Sequence, residues 1–348
     1  MARRDQSAFD TLVGSFTHLN GHIVDQHSEP WVLWHTTDLY AWWHSFEDQC
    51  QTPLGRKLMN AFADHEEYLL NLNATLPSGW FSKKRRQHEA IQHRWSTHGW
   101  GGFDVFKNSA STLLFSPIAA GLALATVEGV SEQRHKVEWT QLNQRMIQFE
   151  FSPSDTRLPS APPPPRLPWT HPLDHGLQSP HVFSELQHNG TELSLEGEVV
   201  CMLPVGAFTR LLHTCRAYPH ALGKEHQDSW QTPGMEAGDR SVMLMVVSSM
   251  SGLVGRGERP IYLESHKSWN SLIEHYLIQF GWGAPGSIEP LDSEQGVRFF
   301  LSPTATLPFL VGWLVAMWER GYGIPSKFSL EEEGSNWVLD IESRHAYN

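Results

Sequence analysis

Apolar residues recur at helical spacing in some stretches of the chain and alternate with polar ones in others. Over residues 54–72, Leu58, Met59, Phe62, Leu69 and Leu70 fall on one face, which predicts a helix, and 241–254 reads likewise. Helices are also expected over 88–97 and 268–280, the second with Trp269, Leu272, Ile273, Tyr276, Leu277 and Phe280 as core candidates. Each runs into a Gly-Trp-Gly turn, at Gly99-Trp100-Gly101 and at Gly281-Trp282-Gly283. Short hairpins should follow, 103–106 with 112–115 and 287–289 with 297–300. Ser116-Pro117 reads as an N-cap followed by proline in the first turn of a helix. Gly129 and Gly321 read as helix stops. A last hairpin, 327–331 with 337–341, places Trp337, Leu339 and Ile341 on its inner face. Asn20-Gly21 and Asn189-Gly190 are hairpin-turn signals ahead of the helices.

These features form two sets in one order, the signature of an internal repeat. Asn20-Gly21 matches Asn189-Gly190, Val32-Leu33-Trp34 matches Cys201-Met202-Leu203, and Leu39 matches Phe208. His93 matches His275 across the Gly-Trp-Gly turns. Gly121, Ala125 and Glu128 match Gly312, Ala316 and Glu319. The offset between partners grows from 169 through 182 to 191, so the second copy should carry longer loops. The expected fold class is α+β: two tandem modules of helices packed on antiparallel hairpins, arranged as a pseudo-dimer. Module one spans 1–157 and module two 181–348. Between them, 158–180 is a proline-rich linker, read as a stiff extended spacer, with a ligand for a proline-reading domain as the alternative.

Composition narrows the class. With 40% hydrophobic and 18% charged residues, the 348-residue chain is too apolar for disorder. A net charge of −12 argues against nucleic acid as a partner. The one basic run, Lys83-Lys84-Arg85-Arg86, reads as a solvated helix start. Cys50, Cys201 and Cys215 fit no metal spacing and read as reduced, buried thiols. The first residues lack a signal-peptide core, so a cytoplasmic protein is expected. Residues 299–318 carry no charge, but Ser302, Pro303 and Pro308 interrupt them, so a buried helix is expected rather than a transmembrane span.

The second copy resembles a 4-vinyl reductase domain, in the superfamily of the vesicle-tethering TRAPP subunits and the haem nitric-oxide sensors. The likeness rests on the helix ending in Gly281-Trp282-Gly283, the hairpin to Phe299-Phe300, the apolar helix 308–318 and the closing hairpin through Trp337 and Asp340. It covers about 268–342, and more faintly 86–151. It implies an antiparallel sheet on helices, a tendency to pair, and an apolar pocket for a small ligand. Family members often hold a metal through cysteines near the last helix, and this chain has no cysteine after Cys215. The haem-sensor histidine motif is not recognisable either, so no cofactor or metal is carried over.

No nucleophile motif, HExxH or phosphate loop occurs. His18/His22 and His171/His175 have i,i+4 spacing, but each pair straddles a turn or a proline. Ligand-binding candidates are His93, Trp100, His275, Trp282 and Trp313. For the repeated histidines a backbone-bonding role is the alternative, and for the repeated tryptophans a core-covering one. Glu128 and Glu319 end equivalent helices, and catalysis would need them to converge. The expected function is non-enzymatic, a subunit that binds a hydrophobic small molecule or scaffolds protein partners in an assembly. An enzyme acting on a hydrophobic or tetrapyrrole-like substrate with a bound cofactor, and a purely structural or membrane-peripheral subunit, are the alternatives.

Overall fold

A computed structural model describes residues 2–77, 83–156, 159–172, 182–218, 222–257, 261–293 and 295–344, with side chains from residue 8 onward except that of Val182. The fold is α+β. After helix α1 (Ala2–Ser15), strands β1 (Phe16–Leu19), β2 (His22–Asp25) and β3 (Pro30–His35) lead to α2 (Thr36–Gln49), α3 (Gly55–Leu72) and α4 (Lys83–Thr97). The hairpin β4 (Gly102–Asp104) and β5 (Ser109–Ser111), helix α5 (Ser116–Ser131) and the hairpin β6 (His135–Asn143) and β7 (Met146–Pro153) complete the first half.

The same order returns. Strands β8 (Gln187–Asn189), β9 (Glu192–Leu195) and β10 (Glu198–Pro204) precede α6 (Val205–Cys215). An insertion carries α7 (Lys224–Ser229) and β11 (Trp230–Gln231). Then come α8 (Ala237–Arg256), α9 (Ser268–Ile273) with a π-helical turn Glu274–Ile278, β12 (Ser287–Pro290), β13 (Val297–Leu301), α10 (Leu307–Tyr322), β14 (Ser326–Glu333) and β15 (Asn336–Ser343).

Three sheets result. The central one has the order β1-β2-β3-β10-β9-β8 and joins the halves where β3 and β10 pair antiparallel. Each half adds its own sheet, β4-β5-β7-β6 in the first and β11-β14-β15-β13-β12 in the second. The halves interlock. Helix α2 packs on α8 of the second half, and α6 packs on α3 of the first. Each Gly-Trp-Gly turn docks on the other half's strands: Met202 donates its N–H to His98 O at 2.9 Å, and Leu33 donates to Phe280 O at 2.9 Å.

Helices α5 and α10 are buried on nearly every side, because each lies between its partner helix and its sheet. Glycine permits the close approach. A Cβ on Gly121 would sit 2.4 Å from Met59 O and 3.0 Å from Phe62 Cβ, and one on Gly312 would sit 2.7 Å from Met250 Cβ. This contact places Phe62 opposite Met250 in the repeat, an offset of 188. The offset therefore does not grow steadily. It jumps at the insertion, drops to 182 at the turns, and rises again.

Several local expectations change. Ser109–Ser111 pairs in the first hairpin, while residues 112–115 lie outside it. Gly129 and Gly321 do not stop their helices. Glu132 and Gly323 adopt the left-handed cap, and Gly129 and Gly321 instead make room for Leu76 and Leu263. Phe115, not Ser116, is the N-cap of α5, and the Ser116 hydroxyl bonds Gln141. The second hairpin turn uses Gly190-Thr191, since Asn189 pairs with Glu192. Arginines of both halves fasten the proline-rich segment, Arg134 to Pro159 O at 2.9 Å and Arg210 to Pro162 O. Its Trp169 is fully buried. Residues 173–180 of that segment, with His175, lie outside the described residues. The run Lys83–Arg86 opens α4, with Lys84, Arg85 and Arg86 exposed. No helix among the described residues is long and apolar enough to cross a membrane.

Candidate functional site

The five sequence candidates do not converge. Trp100 is fully buried, and its Nε1 donates to Met202 O at 2.7 Å, so it ties the turn to the central sheet. Trp282 is inside as well, stacked on Phe309 at 5.2 Å and edge-on to Trp34 at 4.9 Å. Both tryptophans thus hold the core. The two histidines have separate surroundings. His93 shares hydrogen bonds with Thr97 and Thr11 beside a hollow of about 420 Å3, whereas His275 is exposed on the π-helical turn. Trp313 is the candidate that lines a partly open cavity with both apolar and polar walls.

That cavity has a volume of about 240 Å3. Leu253 and Val254 at the end of α8, Ile261, Tyr276 and Trp313 form its apolar walls. Thr37 and Asp38 at the start of α2, with Glu198 of β10, form a polar rim. The Glu198 carboxylate is held 3.0 Å from His35 Nδ1. The Tyr276 and Trp313 rings stack at 6.1 Å with an interplanar angle of 26°. A π-helical turn inserts an extra residue into the ladder and re-aims its side chains, and here it carries Tyr276.

Trp313 is 6% exposed, and its Nε1 has no hydrogen-bond partner among the described residues. An indole nitrogen can only donate. Leaving it unpaired costs about 1–3 kcal/mol. Trp34, Trp42, Trp95, Trp169 and Trp230 also have unpaired Nε1 atoms, but Trp313 is the one among them that borders one of the described cavities. A hollow of about 840 Å3 is lined by Arg134, Glu67 and Glu128, and Arg134 is already paired with both carboxylates.

Catalytic convergence of Glu128 and Glu319 does not occur. Each closes its own half in the same way. Glu128 accepts the His135 N–H at 2.6 Å, and Glu319 accepts the Ser326 N–H at 3.0 Å. Cys50, Cys201 and Cys215 are free and buried, and burial pushes the Cys201 thiol up. His18 and His22 are buried in the first hairpin. Burial lowers His22 to about 4. No cluster of metal-ligating side chains occurs among the described residues.

Sequence reading placed Tyr276 in the core and passed over Leu253, Val254, Ile261 and Glu198. Besides Trp313, the position of Tyr276 next to a repeated histidine is the signal in the sequence that points to the site. Comparison with family models, with curated proteins and with solved structures gives no match.

Proposed function

We propose that this protein is a non-enzymatic binder of a small hydrophobic molecule, acting as the ligand-binding subunit of a larger assembly. The observation that carries this reading is the stacked Tyr276–Trp313 wall, with an indole N–H that finds no partner among the described residues, beside a partly open cavity. At about 240 Å3 the space lies below the roughly 300 Å3 lower end of drug-sized pockets. It suits one ring system with a short substituent. A neutral ligand with one acceptor oxygen would satisfy Trp313, and the Asp38 and Glu198 carboxylates disfavour an anion. The assembly part of the reading is supported by Tyr40, 52% exposed, whose ring meets His44 at 4.3 Å and Phe115 at 5.4 Å. Such an exposed aromatic group suits a protein contact.

Calorimetric titration of the full chain with acetophenone tests the ligand reading. Saturable binding should be seen with one equivalent. It should be lost in a Leu253→Trp chain, in which the larger ring fills the cavity, and weakened in Trp313→Phe. No binding at millimolar acetophenone would defeat the reading.

A further inference from the structure

The repeat makes the cavity comparable with its counterpart in the first half. The offsets of 169, 188, 182 and 191 identify Gly206 with Thr37, His65 with Leu253, Glu66 with Val254, Arg94 with Tyr276, and Leu122 with Trp313. The partners of Val254 and Tyr276, which line the cavity, are in direct contact in the first half. Arg94 Nε and Nη2 donate to the two Glu66 oxygens, each at 2.6 Å. This pair is closed off, with Glu66 side chain 1% exposed and Arg94 11%. The partner of Leu253, His65, is fully buried against the partner of Thr37: a Cβ on Gly206 would lie 2.2 Å from His65 Cε1. Two independent contacts therefore occupy the place where the second half is hollow.

We infer that the chain has a single ligand site, in the second half, because the Glu66–Arg94 ion pair and the His65 ring plug the equivalent site in the first. The inference rests on the reading that the second-half cavity binds ligand. Positions 65/253, 66/254 and 94/276 decide which half is open. A bidentate ion pair is rigid and satisfies its own donors and acceptors, so it leaves a ligand neither room nor an unpaired group. Val254 and Tyr276 cannot bond each other in that way, and the space between them stays empty. Gly206 belongs to the same device, since any side chain there would collide with the His65 ring.

Exchange of the residues between the halves tests this. Glu66→Val with Arg94→Tyr and His65→Leu removes the ring together with both charges, so neither charge is left buried alone. The variant should bind two equivalents of acetophenone where the wild-type chain binds one. Val254→Glu with Tyr276→Arg should bind none. A folded His65→Leu/Glu66→Val/Arg94→Tyr chain that binds no more than wild type would overturn the inference. So would a folded Val254→Glu/Tyr276→Arg chain that still binds. Xenon-pressurised crystals of the wild-type chain supply a readout that needs no variant, since apolar-walled cavities take up xenon. Xenon beside Trp313, with none between α3, α4 and α6, is expected. Xenon in the first-half position overturns the plug. Xenon in neither place counts against the ligand site itself and leaves the plug standing.

Discussion

Leu33 and Met202 lie directly opposite each other where β3 pairs with β10, and they are the same position of the repeated unit. Their outward bonds match as well, for Leu33 N–H reaches Phe280 O and Met202 N–H reaches His98 O, the residues that precede the two Gly-Trp-Gly turns. A pseudo-twofold relation therefore passes between these two side chains. It brings strands of each half against the turn of the other, which is how two similar units bury one shared surface.

The Trp100 bond to Met202 O crosses this junction in a fully buried place. Trp100→Phe keeps the ring and leaves the carbonyl short of a donor. Urea unfolding should show a loss of about 1–3 kcal/mol. A loss near zero would mean that the indole serves only as bulk.

Gly121 and Gly312 should be alike in cost. An alanine at Gly121 meets Met59 O at 2.4 Å, and one at Gly312 meets Met250 Cβ at 2.7 Å, an atom fixed to the backbone. Neither neighbour can yield by turning a flexible end. Either alanine should destabilise by about 1–3 kcal/mol, the usual range for overpacking. Thermal melts of the two variants check this, and an unchanged melt would mean that the paired helices move apart freely.

Acid should unfold the chain through its buried histidines. His22 is lowered to about 4 by burial, while His65 and His98 are driven well below 6.5 by burial and by the nearby Arg94 and, for His65, Arg210. Each is neutral when folded and titrates near 6.5 once exposed, so the unfolded chain binds more protons below that pH. Stability is full above pH 6.5 and falls as the pH drops. It levels off for each group below its folded value. Through the middle of this window three such groups give a slope approaching about 4 kcal/mol per pH unit. His65→Leu, the residue its repeat partner carries, should remove about a third of that slope between pH 6 and pH 5.

Glu128 and Glu319 should prove equivalent in stability and silent in binding. Alanine at either position frees the backbone N–H of His135 or Ser326 from its acceptor. A cost of about 1–3 kcal/mol is expected for each, with acetophenone titration unchanged. Loss of binding in a folded Glu319→Ala chain would mean that the end of α10 shapes the cavity.

Periodicity and turn chemistry act over a few residues, and the sequence by itself determined what depends on them. The helical faces of α3 and α8, the hairpin signal at Asn20-Gly21, the proline in the first turn of α5 and α10, and the repeat joining Leu33 to Met202 were all readable there. Helix ends were not, because Gly129 and Gly321 serve packing against Leu76 and Leu263 rather than termination. The exchange of strands and turns between halves was decided only by the tertiary structure. An apolar face on β3 or α2 is equally well buried by its own half or by the other, so no local pattern distinguishes the two. The site shows the same division. Trp313 could be named from its apolar helix, but Trp100 and Trp282 carry the same chemistry in a repeated motif and belong to the core. Whether a tryptophan lines a cavity depends on what faces it across other helices: Val254 and Tyr276 leave a space, and Glu66 and Arg94, at the same positions of the repeat, close it.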